Sequence, residues 1–163
     1  MRASTSSILA ISALMACGQT HESNQPQNSL NLTNESVALT VEHRSAWRVL
    51  WVEGETDLPN RSYVNYRVTH ELARTVPTNE WPATNLIASG RAAVQDGHYW
   101  AKINTLNWPP GQVQILVQFP LPPQPSTVVT RYGEFGENLE GDNVIVINGT
   151  KAIEAEYRFR HTP

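Results

Sequence analysis

Cysteine is nearly absent from this sequence of 163 residues, in which Cys17 is the only one. A single thiol excludes an internal disulfide, so a folded domain has to be held together by buried surface. An excess of positive charge is missing as well, since the formal net charge is −3. Nucleic acid and anionic lipid headgroups are therefore disfavoured as partners, because no broad basic field attracts them.

Long hydrophobic runs are also lacking. The apolar stretch from Ile8 to Ala16 is much shorter than the roughly 20 residues that a membrane-spanning helix needs. Arg2 precedes this stretch, a small residue closes it, and the chain turns polar directly afterwards. This layout is typical of a secretory signal peptide, and we assign it to residues 1–16.

The four residues Leu14-Met15-Ala16-Cys17 resemble the lipobox of bacterial lipoproteins. The resemblance implies that the Cys17 thiol receives a diacylglycerol and that the preceding peptide is removed. The protein would then contact the membrane through lipid on Cys17, with the outer membrane favoured over the inner one because glycine follows the cysteine. The alternative is an ordinary cleaved signal peptide in which Cys17 is incidental.

Polar residues dominate the segment after the cysteine, residues 18–36, which is crowded with Asn, Gln, Ser and Thr. Such a segment buries too little apolar surface to offset the entropy lost on ordering. We therefore predict a lipidated cysteine and disordered linker over residues 17–36, and a folded domain over residues 37–163.

The domain has the alternating apolar pattern of β-strands. We predict hairpin turns at Asp96-Gly97 and Asn148-Gly149, because these dipeptides favour positive φ angles. Residues 126–132 are compatible with either helix or strand. About eight short antiparallel strands with few helices indicate an all-β fold, an immunoglobulin-like β-sandwich. The predicted strands are residues 37–41, 46–53, 63–69, 85–95, 98–103, 112–119, 144–147 and 151–160.

Several turn motifs of this domain resemble those of small secreted immunoglobulin-like domains of uncharacterised function in bacterial proteins. The resemblance covers residues 37–147 and implies the same fold, but it says little about activity. The motifs are Asp57-Leu58-Pro59, Asp96-Gly97-His98-Tyr99, Pro109-Pro110-Gly111, Gln124-Pro125 and the run from Tyr132 to Leu139.

Tryptophans supply the candidate binding residues. Trp81 and Trp108 each precede a proline in a loop, so we consider them as exposed rings that could stack on sugars or anchor a protein contact. The alternative is that they close the ends of the sandwich. Trp47 and Trp51 alternate on one predicted strand, and we expect them in the core.

Acidic residues are concentrated in the glycine-rich loop at residues 132–142. Glu134, Glu137 and Asp142 are weak candidates for metal ligands, because hard cations take oxygen ligands from such loops. Their spacing matches no calcium-binding signature, and we interpret the loop as a solvated surface. We expect neither a metal nor a cofactor.

Motifs of catalysis are missing, since the sequence has no nucleophile elbow, no phosphate loop and no paired histidines. We therefore expect a lipid-anchored cell-envelope protein that is not an enzyme and that binds another envelope protein or has a structural role. The alternatives are a carbohydrate or peptidoglycan-binding module that uses Trp81 and Trp108, and a small hydrolase.

Overall fold

The structure, a computed structural model, describes residues 34–120 and 123–163. The predicted signal peptide, Cys17 and residues 18–33 of the predicted linker lie outside these residues. Eight strands and two short α-helices are present in the described part. They are β1 (Glu42–Ala46), β2 (Val49–Glu55), β3 (Tyr63–His70), α1 (Leu72–Thr75), β4 (Ile87–Ala93), β5 (His98–Asn104), β6 (Gly111–Phe119), α2 (Ser126–Tyr132), β7 (Val144–Ile147) and β8 (Thr150–His161).

The strands form two antiparallel sheets. The three-stranded sheet has the order β1-β2-β5, and the five-stranded sheet has the order β4-β3-β6-β8-β7. The first, second and fifth strands thus form one sheet and the other five form the second, which is the arrangement of a β-sandwich. The predicted all-β sandwich of about eight antiparallel strands is confirmed.

Strand β6 shows why the sequence forms this core. Val113, Ile115, Val117 and Phe119 are all buried, while the glutamines between them are more exposed. The strand pairs with β3 on one side and β8 on the other, so its inward side chains reach the centre of the sandwich.

The turn between β1 and β2 differs from the prediction. We predict a continuous strand over residues 46–53, but the chain turns at Trp47 and Arg48, and Arg48 has a φ of 62°. The Trp47 side chain lies on this turn and is 77% exposed, so its expected place in the core is wrong. Trp51 is half-buried on the outer face of β2 and is not a core residue either.

The predicted Asp96-Gly97 turn is present, but the hairpin is not. Asp96 and Gly97 have φ angles of 50° and 80°, and Gln95 pairs with His98 across them. Beyond this pair the chain crosses between sheets, because β4 pairs with β3 whereas β5 pairs with β2. The second predicted hairpin, β7 and β8 around Asn148-Gly149, is confirmed.

Residues 37–41 are extended without forming the predicted strand. Val37 and Val41 are buried as expected, but only Leu39 makes a strand-like pair, with Thr56. The last residues of the predicted linker also belong to the fold, because Glu35 pairs with Leu139.

Helix α2 resolves the alternative left open for residues 126–132. It begins directly after Pro125, which fixes φ at the entry, and Gly133 ends it with a φ of 85°. Tyr132 packs its ring edge against Phe119, with 5.2 Å between the ring centroids. The helix therefore covers the end of strand β6.

Strand β8 runs along the core as predicted, with one exception. Ile153 is buried, but Tyr157, which we predict to face inward, is 37% exposed. Its ring lies against His43 of the edge strand β1, with 5.2 Å between centroids. An edge strand covers the tyrosine incompletely, so the ring stays partly accessible.

Candidate functional site

The outer face of the three-stranded sheet carries an aromatic and acidic groove. On β2, Leu50 and Val52 are buried, so alternation places Trp51 and Glu53 on the outside. On β5, Tyr99 and Ala101 are buried, so Trp100 lies on the outside as well. We call the concavity here the outer groove. Its lining side chains include Glu42, Arg44, Trp51, Glu53, Glu55, His98 and Trp100.

Strand register arranges these side chains in rows across the sheet. One row runs Arg44, Trp51, Lys102, and the next runs Glu42, Glu53, Trp100. Directly opposed side chains in neighbouring strands lie about 4.5–5.5 Å apart at Cβ. Trp100 is therefore next to the Glu53 carboxylate.

Two cations of the protein itself lie over the Trp51 ring. The Arg44 guanidinium carbon lies 4.1 Å from the centre of the ring, and the Lys102 ammonium lies 5.9 Å from it. Arg44 also forms an ion pair with Glu53, at 3.4 Å between Nε and Oε1. Trp51 is thus covered by its own neighbours, and Arg44 is fixed over it.

Trp100 differs from Trp51 in this respect. Its side chain is 64% exposed, and within the described part of the chain no arginine or lysine lies over its ring. Trp47 is also exposed, but the Arg48 guanidinium lies 3.9 Å from its ring centre. Trp47 is exposed to a larger fraction than Trp100, but among the described residues only Trp100 combines an exposed ring with the lack of a covering cation.

The groove has a volume of about 500 Å³ and an excess of negative charge. Three carboxylates, those of Glu42, Glu53 and Glu55, line it against the single guanidinium of Arg44. Of these three carboxylates, only that of Glu53 forms an ion pair within the described part of the chain. The Glu42 and Glu55 carboxylates consequently remain available to a ligand.

The floor of the groove is fixed by a buried tyrosine. The Tyr99 hydroxyl donates a hydrogen bond to the Thr40 carbonyl oxygen, and burial raises the pKa of this phenol. Gly54 permits the contact, because a Cβ at this position would clash with both partners. Tyr99 is therefore a structural residue, and the chemistry of the groove lies in its carboxylates and indole rings.

Trp108, a predicted binding residue, is almost completely buried. Its side chain is 2% exposed, and its Nε1 donates a hydrogen bond to Asn85 Oδ1 at 3.1 Å. The ring packs with edge-on geometry against His70 and His161, with centroid distances of 5.6 and 5.8 Å. Trp108 closes an end of the sandwich, which is the alternative that we gave for it.

Trp81, the other predicted binding residue, is half-buried. Its Nε1 donates a hydrogen bond to the Val76 carbonyl oxygen at 2.9 Å, and its ring packs against the core. The structure does not bring Trp81 into the outer groove. Neither predicted tryptophan is among the residues that line it.

The candidate metal ligands Glu134, Glu137 and Asp142 are all exposed. Glu137 Oε2 accepts a hydrogen bond from the Phe135 amide at 3.0 Å. The Lys151 ammonium donates to the backbone carbonyls of Glu137 and Leu139, at 3.1 and 3.0 Å. A lysine thus occupies carbonyl oxygens of this loop, and no cluster of three potential metal ligands occurs within residues 34–120 and 123–163.

Trp100 is not among the binding residues predicted from the sequence. The signal for it is the alternation in β5, where Tyr99, Ala101 and Ile103 point inward and therefore place Trp100 outward. Its acidic neighbours come from β1 and β2, so they are visible only once the register is known.

Comparison with known proteins gives no match, whether to protein families, to characterised proteins or to solved structures. Among the described residues, the helices are too short and too polar to cross a bilayer.

Proposed function

We propose that this chain is a lipid-anchored, non-catalytic binding module of the cell envelope, and that it binds its partner through the outer groove. The anchor is Cys17, which directly follows the signal-like segment and the lipobox-like residues Leu14-Met15-Ala16. Acyl chains supply about 0.8 kcal/mol per buried CH₂, so more than one chain on Cys17 would hold the protein stably at a membrane.

The observation that carries the binding role is the exposure of Trp100. A large apolar ring that is 64% accessible, beside a groove of about 500 Å³, is a typical anchor for a partner. Tyr99, the preceding residue on the same strand, is almost fully buried. Trp100 is exposed because it lies on the opposite, outer face of the sheet.

Binding of this kind suits an anchored protein. Within the described part of the chain, the groove contains no histidine or cysteine cluster for a metal and no serine or cysteine nucleophile. We therefore assign it recognition and assign no catalytic residue.

Two experiments test the proposal separately. Metabolic labelling with a fatty-acid analogue should mark the wild-type protein and fail for Cys17→Ser, and labelling that persists would contradict the anchor. Crosslinking in the native envelope should give defined partner bands that Trp100→Ala removes. Trp47→Ala is the matched control, because it also removes an exposed tryptophan but lies outside the groove.

A glycan is the second candidate ligand, because a free indole face can stack on a sugar ring. Trp100 takes the role that the sequence analysis gave to Trp81 and Trp108. A neutral sugar would need the ring but not the negative charge of the groove, which separates it experimentally from a charged partner.

A further inference from the structure

We propose that the outer groove binds a lysine or arginine side chain presented by a basic segment of a partner protein, with its cation over Trp100 and near Glu42 and Glu55. This inference rests on the proposed binding function and names the chemistry of the ligand.

The other two tryptophans of the three-stranded sheet and its turn, Trp47 and Trp51, each have an arginine of the protein over the ring. Arg48 lies 3.9 Å from the centre of Trp47, and Arg44 lies 4.1 Å from the centre of Trp51. An indole face attracts a cation because its ring carries negative electrostatic potential. Trp100 is the tryptophan of this set over which no cation lies among the described residues.

The carboxylates around Trp100 favour a cation in that place. Glu53 lies directly across from Trp100 and is paired with Arg44, whereas Glu42 and Glu55 form no ion pair within the described chain. Hydrogen bonds between an ammonium or guanidinium group and a carboxylate are about twice as strong as neutral ones. The groove therefore combines a ring face with uncompensated negative charge.

Two cations of the protein lie near these carboxylates, and each of them already contacts Trp51. Arg44 is held by Trp51 and Glu53, and Lys102 lies on the Trp51 side of the sheet, in the neighbouring row. With one guanidinium against three carboxylates, the lining remains negative. A volume of about 500 Å³ lies within the range of about 300–1,000 Å³ found for ligand pockets, so a long side chain fits.

The test uses the full-length chain in detergent and a synthetic peptide that alternates lysine and serine. A second peptide with every lysine acetylated has the same length without the charge. Binding is measured by fluorescence anisotropy at two salt concentrations. We expect the lysine peptide to bind more weakly at high salt and the acetylated peptide not to bind.

Substitutions of the groove residues test whether the lysine peptide binds in the outer groove. Trp100→Ala should weaken binding of the lysine peptide by about threefold to thirtyfold, the range that a cation–π contact supports. The double variant Glu42→Gln, Glu55→Gln should weaken it as well and reduce the salt dependence. Trp47→Ala and Glu80→Gln, which change exposed residues outside the groove, should bind as the wild type does. Urea unfolding of each variant verifies that it is folded.

Three results would overturn the inference. One is equal binding of the acetylated peptide, and another is full binding by Trp100→Ala. The third is binding of a neutral N-acetylglucosamine oligomer that needs Trp100 but tolerates the double glutamine variant, which would make the ligand a glycan. In that last case the proposed binding function would stand, because envelope crosslinks would still depend on Trp100.

Discussion

The carboxylate of Glu35 accepts a hydrogen bond from the Arg131 Nε at 2.6 Å, and this contact raises the pKa of the guanidinium. Backbone hydrogen bonds flank it, from the Glu35 amide to Asn138 at 2.9 Å and from the Glu140 amide to Glu35 at 3.0 Å. The segment assigned to the end of a linker is therefore joined to helix α2 and the loop after it. Glu35, near the end of the predicted linker, thus contacts the folded domain through both its backbone and its side chain.

Arg131→Ala should loosen this junction without unfolding the domain. Both side chains are partly exposed, and such ion pairs contribute about 0.2–1 kcal/mol to the free energy of unfolding. We expect faster amide hydrogen exchange at Glu140 and a small loss in urea stability. Arg158→Ala is the control, since it removes another exposed ion pair, with Glu156, and should leave Glu140 exchange unchanged. Unaltered Glu140 protection in Arg131→Ala would show that the backbone hydrogen bonds hold the segment alone.

Trp108 and Trp47 exchange the roles that the sequence suggests for them, and their substitution should show it. Trp108→Ala removes a buried ring and the hydrogen bond to Asn85, so we expect a loss of about 3–5 kcal/mol in the free energy of unfolding. Trp47→Ala changes an exposed ring and should stay within about 0.5 kcal/mol of the wild type. Urea denaturation measures both, and equal effects would contradict the assignment of Trp108 to the core.

The two tryptophans also show what sequence can predict for this fold. Alternation identifies strands such as β6, because a buried face leaves a repeat of two in the sequence. It fails at Trp47 because the turn there contains no glycine, asparagine or proline, and Arg48 takes the positive φ. Nothing in the local sequence interrupts the pattern, so a turn is read as a strand.

The Asp96-Gly97 turn shows that a local signal predicts a turn without predicting which strands pair. Its dipeptide determines two backbone conformations, and these are present. It does not determine the partners of the strands on either side, which are chosen by long-range burial of β4 against β3 and of β5 against β2. The outer groove is built from three strands of such a pairing, which is why Trp100 and its acidic neighbours could not be grouped beforehand.

Edge strand β7 should promote self-association. It pairs with β8 on one side, it consists of Val144, Ile145, Val146 and Ile147, and Val146 is 68% exposed. Apolar edge strands without charged residues can pair with other chains. We expect Val146→Lys to reduce association at high concentration without loss of stability, and Val146→Thr to reduce it less.

Sedimentation velocity measures this association, with Cys17→Ser as the common background so that lipid does not drive it. If the lysine variant associates as strongly as its parent, strand β7 is not the surface responsible.

His161 should make the stability of the domain depend on pH. The side chain is buried beside Trp108, and burial, followed by the nearby charge of His70, lowers the pKa of its imidazole. A group whose pKa is lower in the folded state binds its proton more readily after unfolding. Stability should therefore be complete above the unfolded pKa of about 6.5 and should fall as the pH drops below it.

His43 acts in the same direction, because burial lowers its pKa, although the Glu53 carboxylate opposes this. The wild type should lose urea stability between pH 7.5 and pH 5.5. We expect His161→Gln to lose less over this range, but still to lose some because His43 is retained. His98→Gln, which alters an exposed histidine, is the control for replacing a histidine with glutamine. If His161→Gln and the wild type lose stability with the same slope, protonation of His161 is not linked to unfolding, and the remaining dependence has to come from His43 and other groups.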